Sequence, residues 1–198
     1  MPFAFSGFNI DGVDISETAV NRCKEKFAEL NSNNNLVNSD LRNYDIKNDN
    51  YTLIIIANVL NFFKKPEIDL IIEKTKTGLQ EGGMLYLSVF STLDPNYKSS
   101  ILSRKQVEKN TFCIEERDSN VHYFNQEEIT KYFSDLKLIC MYEGIEYDGG
   151  HGSPHYHGVI EFIGERKRTL KIIISAASYA KVLFNVRTLK RFCEILKA

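Results

Sequence analysis

The sequence predicts an α/β fold: a doubly wound, mainly parallel sheet that finishes in an antiparallel hairpin. Three observations carry this. Up to Phe90, apolar strand-like segments alternate with patterns of helical period. One segment, YTLIIIA at residues 51–57, is apolar on both faces, as a strand in the middle of a covered parallel sheet must be. Near the end, two long strand patterns at 136–147 and 157–164 follow one another with no helix between them, so they should pair antiparallel.

Residues 7–16 (GFNIDGVDIS) open the pattern as a short, mostly apolar strand. Ser16 is a good N-cap, and Glu17 puts an acid in the first helical turn, where the helix dipole favours it. Asp14 stands at the carboxyl end of that strand. Doubly wound folds commonly place there an acid that accepts the hydroxyls of a nucleoside ribose. An Asp before a helix also serves as a plain cap, and position alone leaves both readings open. Over residues 17–30, Val20, Cys23, Phe27 and Leu30 recur at helical spacing. The NSNNN run at 31–35 ends that helix, and Leu36 and Val37 begin a strand leading to Asp40 at a second strand-to-loop junction. After the strand at 51–57, Pro66 occupies a first-turn position in a helix that runs to Leu79 and buries Ile68, Ile71 and Ile72. Gly82 and Gly83 should stop this helix and feed a strand at 84–90. Residues 91–122 are less regular and charged, with no element assigned, and should lie over the ligand-binding face. Asn125 with Glu128 resembles a capping box opening a short helix to Phe133. DGGHGSPHY, at 148–156, joins the two late strands.

At 198 residues the chain is one domain, long enough to bury a proper core. An apolar fraction of 43% and a charged fraction of 26% are those of an ordinary globular protein, and a net charge of -1 gives no general pull toward nucleic acid or membrane. From Arg166 onward, however, Lys and Arg recur and Glu194 is the one acid. Cys23, Cys113, Cys140 and Cys193 are far apart and form no CxxC pair, which reads as packed, reduced thiols in a cytoplasmic protein. No signal peptide is recognisable, and no apolar run reaches the roughly 18 residues of a membrane span.

The order of elements resembles the second part of a class I S-adenosylmethionine-dependent methyltransferase, whose Rossmann-like sheet ends in an antiparallel hairpin. GFNIDGVDIS resembles the second strand with its ribose-binding acid, and NSDLRNYDI the third strand. IIIANVLNFF resembles the fourth strand with the loop under the methyl donor, and LQEGGMLYLSVF the approach to the fifth. EYDGGHGSPHYHGVIEFIGERK is most similar to small methyltransferases of the tellurite-resistance type. The resemblance covers roughly residues 3–167. It implies S-adenosyl-L-methionine as cofactor, with Asp14 and Ile15 at the ribose, Asp40 and Leu41 beside the adenine, and Asn58 and Val59 under the methyl donor. It implies a small-molecule substrate as well, such as a metalloid oxyanion or a thiol.

His151, His155 and His157 lie close together in HGSPHYH, and i, i+2 spacing on a strand puts two imidazoles on one face. Three imidazoles so close suit a metal, but no Cys or second cluster completes a tetrahedral set and the resemblance points to none. A substrate-facing or structural role is therefore expected, and no metal. Methyl transfer from a sulfonium to a good nucleophile rests on in-line positioning, so the lack of a catalytic triad does not exclude it.

The family's first strand and glycine-rich loop, in outline D-x-G-x-G-x-G, should precede Gly7, and no such loop occurs in this sequence. Its absence removes half of a cofactor pocket and a central strand, leaving a slot whose walls carry unpaired backbone groups. LKIIIS at 170–175 is the expected filler, with a basic helix over 179–196 covering one face; the alternative is a homodimer in which a partner chain supplies the strand. The division expected is a methyltransferase-like domain at 1–167 and a basic extension, strand plus helix, at 168–198. Alternatives to the enzyme are a non-catalytic binding module of the same fold and a nicotinamide-binding Rossmann protein, which shares the acid after the second strand.

Overall fold

A computed structural model describes residues 6–28, 34–149, 153–168 and 181–184. The elements run β1 (Asn9–Asp14), α1 (Glu17–Phe27), β2 (Asn35–Asn38), β3 (Tyr51–Ala57), α2 (Lys65–Gly78), β4 (Leu79–Phe90), α3 (Pro95–Ser103), β5 (Gln106–Glu108), β6 (Thr111–Ile114), β7 (Ser119–His122), α4 (Gln126–Tyr132), β8 (Leu136–Asp148), β9 (His155–Arg166) and β10 (Lys181–Phe184). Seven strands form one sheet in the order β2-β1-β10-β3-β4-β9-β8. The first five in that order pair parallel, and β9 and β8 then close the sheet antiparallel. β3 is the middle strand.

Why β3 sits there follows from its side chains. Ile54 and Ile56 point into one core with Ile68, Ile71 and Ile72 of α2 and Ile129 of α4. Leu53, Ile55 and Ala57 point into a second core with Val20, Cys23 and Phe27 of α1. A strand apolar on both faces thus joins the two layers of a doubly wound fold. The helices start where local chemistry directs. Ser16 Oγ accepts from the Ala19 N–H at 3.2 Å, and the Glu67 carboxylate accepts from the Lys64 N–H at 2.9 Å beside Pro66. Asn125 Oδ1 caps α4 by accepting from the Glu128 N–H at 2.8 Å.

Three sequence expectations are corrected. The glycines at 82 and 83 do not end α2, which stops at Gly78; β4 begins at Leu79 and carries them inside it. Pairing with β3 jumps from Tyr51↔Leu79 to Leu53↔Met84, and Gly82 takes a positive φ of 77° within this bulge. A side chain at Gly83 would put its Cβ 2.8 Å from the Tyr51 carbonyl oxygen. Secondly, residues 106–122 are not irregular but form a small antiparallel sheet, β5-β6-β7, over Phe112, Val121 and Tyr123. Its strands are three or four residues long, too short for a period to show.

The third correction concerns the slot. β10 fills it, pairing parallel with β1 (Asn9↔Lys181 to Gly12↔Phe184) and with β3 (Val182↔Leu53, Leu183↔Ile54). The filler is therefore Lys181–Phe184, within the segment read as a helix, while the expected strand at 170–175 lies outside the described residues, as do the other residues of that helix. A slot with ladder partners on both sides overrides a helical pattern in so short a stretch. The strand comes from the same chain. Among the described residues, no helix is long and apolar enough to cross a membrane, and Cys23, Cys113 and Cys140 are free thiols.

Candidate functional site

Parallel strands deliver their carboxyl ends to one edge of the sheet, and there a cleft of about 1840 Å³ opens. That exceeds the roughly 300–1,000 Å³ of a pocket for one small ligand. The ends of β1, β2, β3 and β4 form its floor; the β6–β7 turn and the hairpin tip of β8 and β9 form its walls. Asp14, Ile15, Asp40, Leu41, Asn58, Val59, His155 and His157 all line it. His151 lies outside the described residues.

Asp14 is the last residue of β1, and its two carboxylate oxygens have different situations. Oδ1 accepts from the Ser16 N–H at 2.8 Å and so shapes the entry into α1. Oδ2 has no partner among the described residues. The cap and the ligand-accepting roles thus coexist on one side chain. Asn38 ties the neighbouring strand end down, donating from Nδ2 to the carbonyls of Asp14 (3.1 Å) and Ile15 (2.9 Å). Ile15 is an apolar side chain left 74% exposed where it lines the cleft.

Asp40 is held by a residue that the sequence reading passed over. Arg42 Nη2 donates to Asp40 Oδ2 at 2.6 Å, Nε reaches both carboxylate oxygens at 3.0 Å, and the Arg42 N–H meets Oδ1 at 2.8 Å. These Arg42 hydrogen bonds hold the Asp40 carboxyl below its ordinary range against the opposing effect of burial. Arg42 Nη1 also meets Glu67 Oε1 at 2.5 Å, and its guanidinium lies 5.6 Å from the Phe63 ring centroid. The D-x-R spacing was visible in NSDLRNYDI, but Glu67 comes from α2 and no local pattern announces it.

Asn58 follows β3 with φ 53°, a left-handed conformation that Asn tolerates better than most residues. Its N–H donates to the Ser88 carbonyl (2.8 Å) and its Oδ1 accepts from Ser88 Oγ (3.1 Å), so the loop is tied to β4. Val59 packs half-buried on the α2-side core. Asn61 is fully buried and accepts from the Phe90 N–H at 2.8 Å, a structural role. A further lining residue unforeseen in the sequence is Glu161 of β9. Tyr86 donates its hydroxyl to Glu161 Oε1 at 2.8 Å, and burial pushes the carboxyl above its ordinary range.

At the hairpin tip, His157 Nδ1 lies 2.8 Å from Asp94 Oδ2, and the Phe90 ring stacks on the imidazole at 4.5 Å. His155 Nδ1 lies 2.8 Å from the Ser153 carbonyl oxygen. The two Nε2 atoms face each other at 2.9 Å.

The family model for a methyltransferase domain matches residues 2–83. Carboxy-S-adenosyl-L-methionine synthase of Shewanella frigidimarina is 28% identical over 104 residues, 52% of this chain and 42% of that protein. The Vibrio vulnificus protein of the same name is 33% identical over 84 residues, 41% of this chain and 34% of that one. The chain therefore spans about two fifths or less of the length of these curated relatives. Among solved structures, an S-adenosylmethionine-dependent methyltransferase of Methanosarcina mazei superposes with a TM-score of 0.65 at 14% identity, covering 85% of this chain and 86% of that one. TehB of Haemophilus influenzae gives 0.57 at 17% identity, over 83% of this chain and 52% of its own. The N-methyltransferase NodS of Bradyrhizobium japonicum, in complex with S-adenosyl-L-homocysteine, gives 0.55 at 12% identity, over 80% and 66%. The chain has the class I methyltransferase fold.

Proposed function

We propose that this chain is a methyltransferase that holds S-adenosyl-L-methionine in the cleft and acts on a small molecule. One observation carries the reading: in a methyltransferase fold, three successive strand ends bring Asp14–Ile15, Asp40–Leu41 and Asn58–Val59 to a single cleft. Asp14 Oδ2 is placed to accept a ribose hydroxyl, while Oδ1 stays on the Ser16 N–H. Asp40 and Leu41 take the adenine side, with Arg42 keeping the Asp40 carboxylate ionised and oriented. Asn58, fixed by Ser88, supports the floor between the two ligands. The bound sulfonium supplies an electrophilic methyl group. The protein's own contribution is to exclude water and align the acceptor, and His155 and His157 stand on the acceptor side, suited to an oxyanion or thiol.

A second reading, a binding module without turnover, is favoured by one feature. β10 runs parallel to β1 and β3, so it ends at the cleft edge, yet the sequence after Phe184 contains no glycine. Backbone approach to the methionine part of the cofactor then lacks the usual glycines. Calorimetric titration with S-adenosylmethionine, S-adenosylhomocysteine and NAD tests the proposal. Binding of the first two and not of NAD is expected; binding of NAD alone, or of none, overturns it. Cofactor binding with no methylated product from thiol or oxyanion acceptors selects the second reading.

A further inference from the structure

The hairpin tip holds two imidazoles in an arrangement that calls for a positive charge between them. The Ser153 carbonyl can only accept, so His155 Nδ1 carries the hydrogen in that 2.8 Å contact. Asp94 is buried and already accepts from the Asn96 N–H at 2.7 Å on Oδ1 and from the Gly158 N–H at 3.1 Å on Oδ2. His157 Nδ1, 2.8 Å from the same Oδ2, therefore carries the hydrogen there too. In each neutral ring the lone pair is then left on Nε2, and the two Nε2 atoms are 2.9 Å apart. Two lone pairs at that distance repel unless a cation, either a proton or a metal ion, lies against both.

A third group supplies what a metal ion needs beyond the two imidazoles. Asp148 is the cross-strand partner of His155 in the β8–β9 ladder, and its carboxylate lies within 4.8 Å of both imidazole nitrogens. Two imidazoles and a carboxylate with ligand atoms this close to one another are a donor set for a borderline transition metal. The surroundings match what such sites need. Asp94 holds His157 as an outer carboxylate, Ser153 holds His155, and Phe90 fixes the plane of His157 by stacking. Even the backbone is committed: a Cβ on Gly158 would lie 2.1 Å from the Asp94 nitrogen, so only glycine lets β9 approach the Asp94 turn.

We propose that Asp148, His155 and His157 bind a divalent transition-metal ion of the zinc class at the wall of the cleft, contrary to the expectation of no metal. The site rests on side-chain geometry alone and stands whether or not the cleft transfers methyl groups. The test is titration of the full chain, stripped with chelator, against Zn²⁺ alone, with bound metal counted after dialysis. One ion per chain at micromolar or tighter affinity is expected. His155→Ala and Asp148→Ala should each abolish the stoichiometric site, and Asp94→Asn should weaken it by about ten- to hundred-fold while leaving its stoichiometry. Circular dichroism of each variant separates loss of ligand from loss of fold, and the half-exposed hairpin tip makes His155→Ala the safest of them. No uptake by the full chain, which is the result for a proton-bridged imidazole pair, overturns the proposal. So does equal uptake by folded His155→Ala and Asp148→Ala proteins.

Discussion

Asp14 illustrates how one carboxylate serves structure and ligand together. Because Oδ1 shapes the start of α1 and Asp14 lines the cleft, Asp14→Asn keeps an acceptor for Ser16 but replaces the second carboxylate oxygen by an NH2 donor and removes the charge. Its melting temperature should stay within a degree or two of the parent, while affinity for S-adenosylhomocysteine falls, by about 1.5–3 kcal/mol for a lost hydrogen bond to a charged group. Equal affinity by calorimetry would remove Asp14 from the site. The Asp40–Arg42 pair makes a pH prediction. Arg42 depresses the folded-state pKa of Asp40, so its stabilisation is complete above the ordinary aspartate value of about 3.9 and is lost as pH falls through the depressed one. Arg42→Ala should therefore move the acid-unfolding midpoint, followed by circular dichroism, to higher pH, while costing about 1 kcal/mol or less at neutral pH. An unmoved midpoint would mean that the pair contributes nothing to acid stability. Asp14 was legible because a strand end, a cap and a first-turn acid coincide in DIS and Glu17. Arg42, Asp94 and Glu161 were not, because their roles depend on Glu67, His157 and Tyr86, which the fold brings from far along the chain.

At the scale of elements, the strands at 51–57, 136–147 and 157–164 were legible from their apolar and β-branched content, and so were the caps at Ser16 and Asn125. The slot itself was legible only through the resemblance, in which the strands at 8–15 and 51–57 flank a strand that this sequence lacks. Which residues fill it was not. KVLF is too short to outvote a helical pattern, and only ladder partners on both sides decide the matter. Removing residues 169–198 takes β10 away and exposes the backbone groups of β1 and β3 together with apolar side chains of β3. At roughly 25 cal/mol per Å², this loss is several kcal/mol, comparable to a domain's whole stability. The shortened protein should aggregate or melt cooperatively at a much lower temperature, and Leu183→Pro, which breaks the ladder in place, should act in the same direction. A shortened chain that stays monomeric with its melting temperature intact would contradict the pairing. The glycine-free sequence after Phe184 carries a separate expectation: adenosine and S-adenosylhomocysteine should bind within about tenfold, or about 1.4 kcal/mol, of each other. A much larger preference for the full cofactor product would show that the methionine part is held by other residues.

For the whole molecule, two cores on opposite faces of one sheet fix the strand ends, and the insertion at 95–122 and the β8–β9 hairpin enclose what those ends present. This division places binding chemistry on loops and leaves stability to α1, α2 and β3, so cleft variants such as Asp14→Asn should alter affinity without unfolding the sheet. To act as a methyltransferase the protein must receive the adenosine of S-adenosylmethionine at this edge of the sheet. A crystal structure of the chain with S-adenosylhomocysteine tests it most directly. A ribose hydroxyl should lie within hydrogen-bond distance of Asp14 Oδ2, with the adenine ring beside Asp40 and Leu41. Density for the ligand elsewhere, or a ribose turned away from Asp14 with the adenine remote from Leu41, would contradict it.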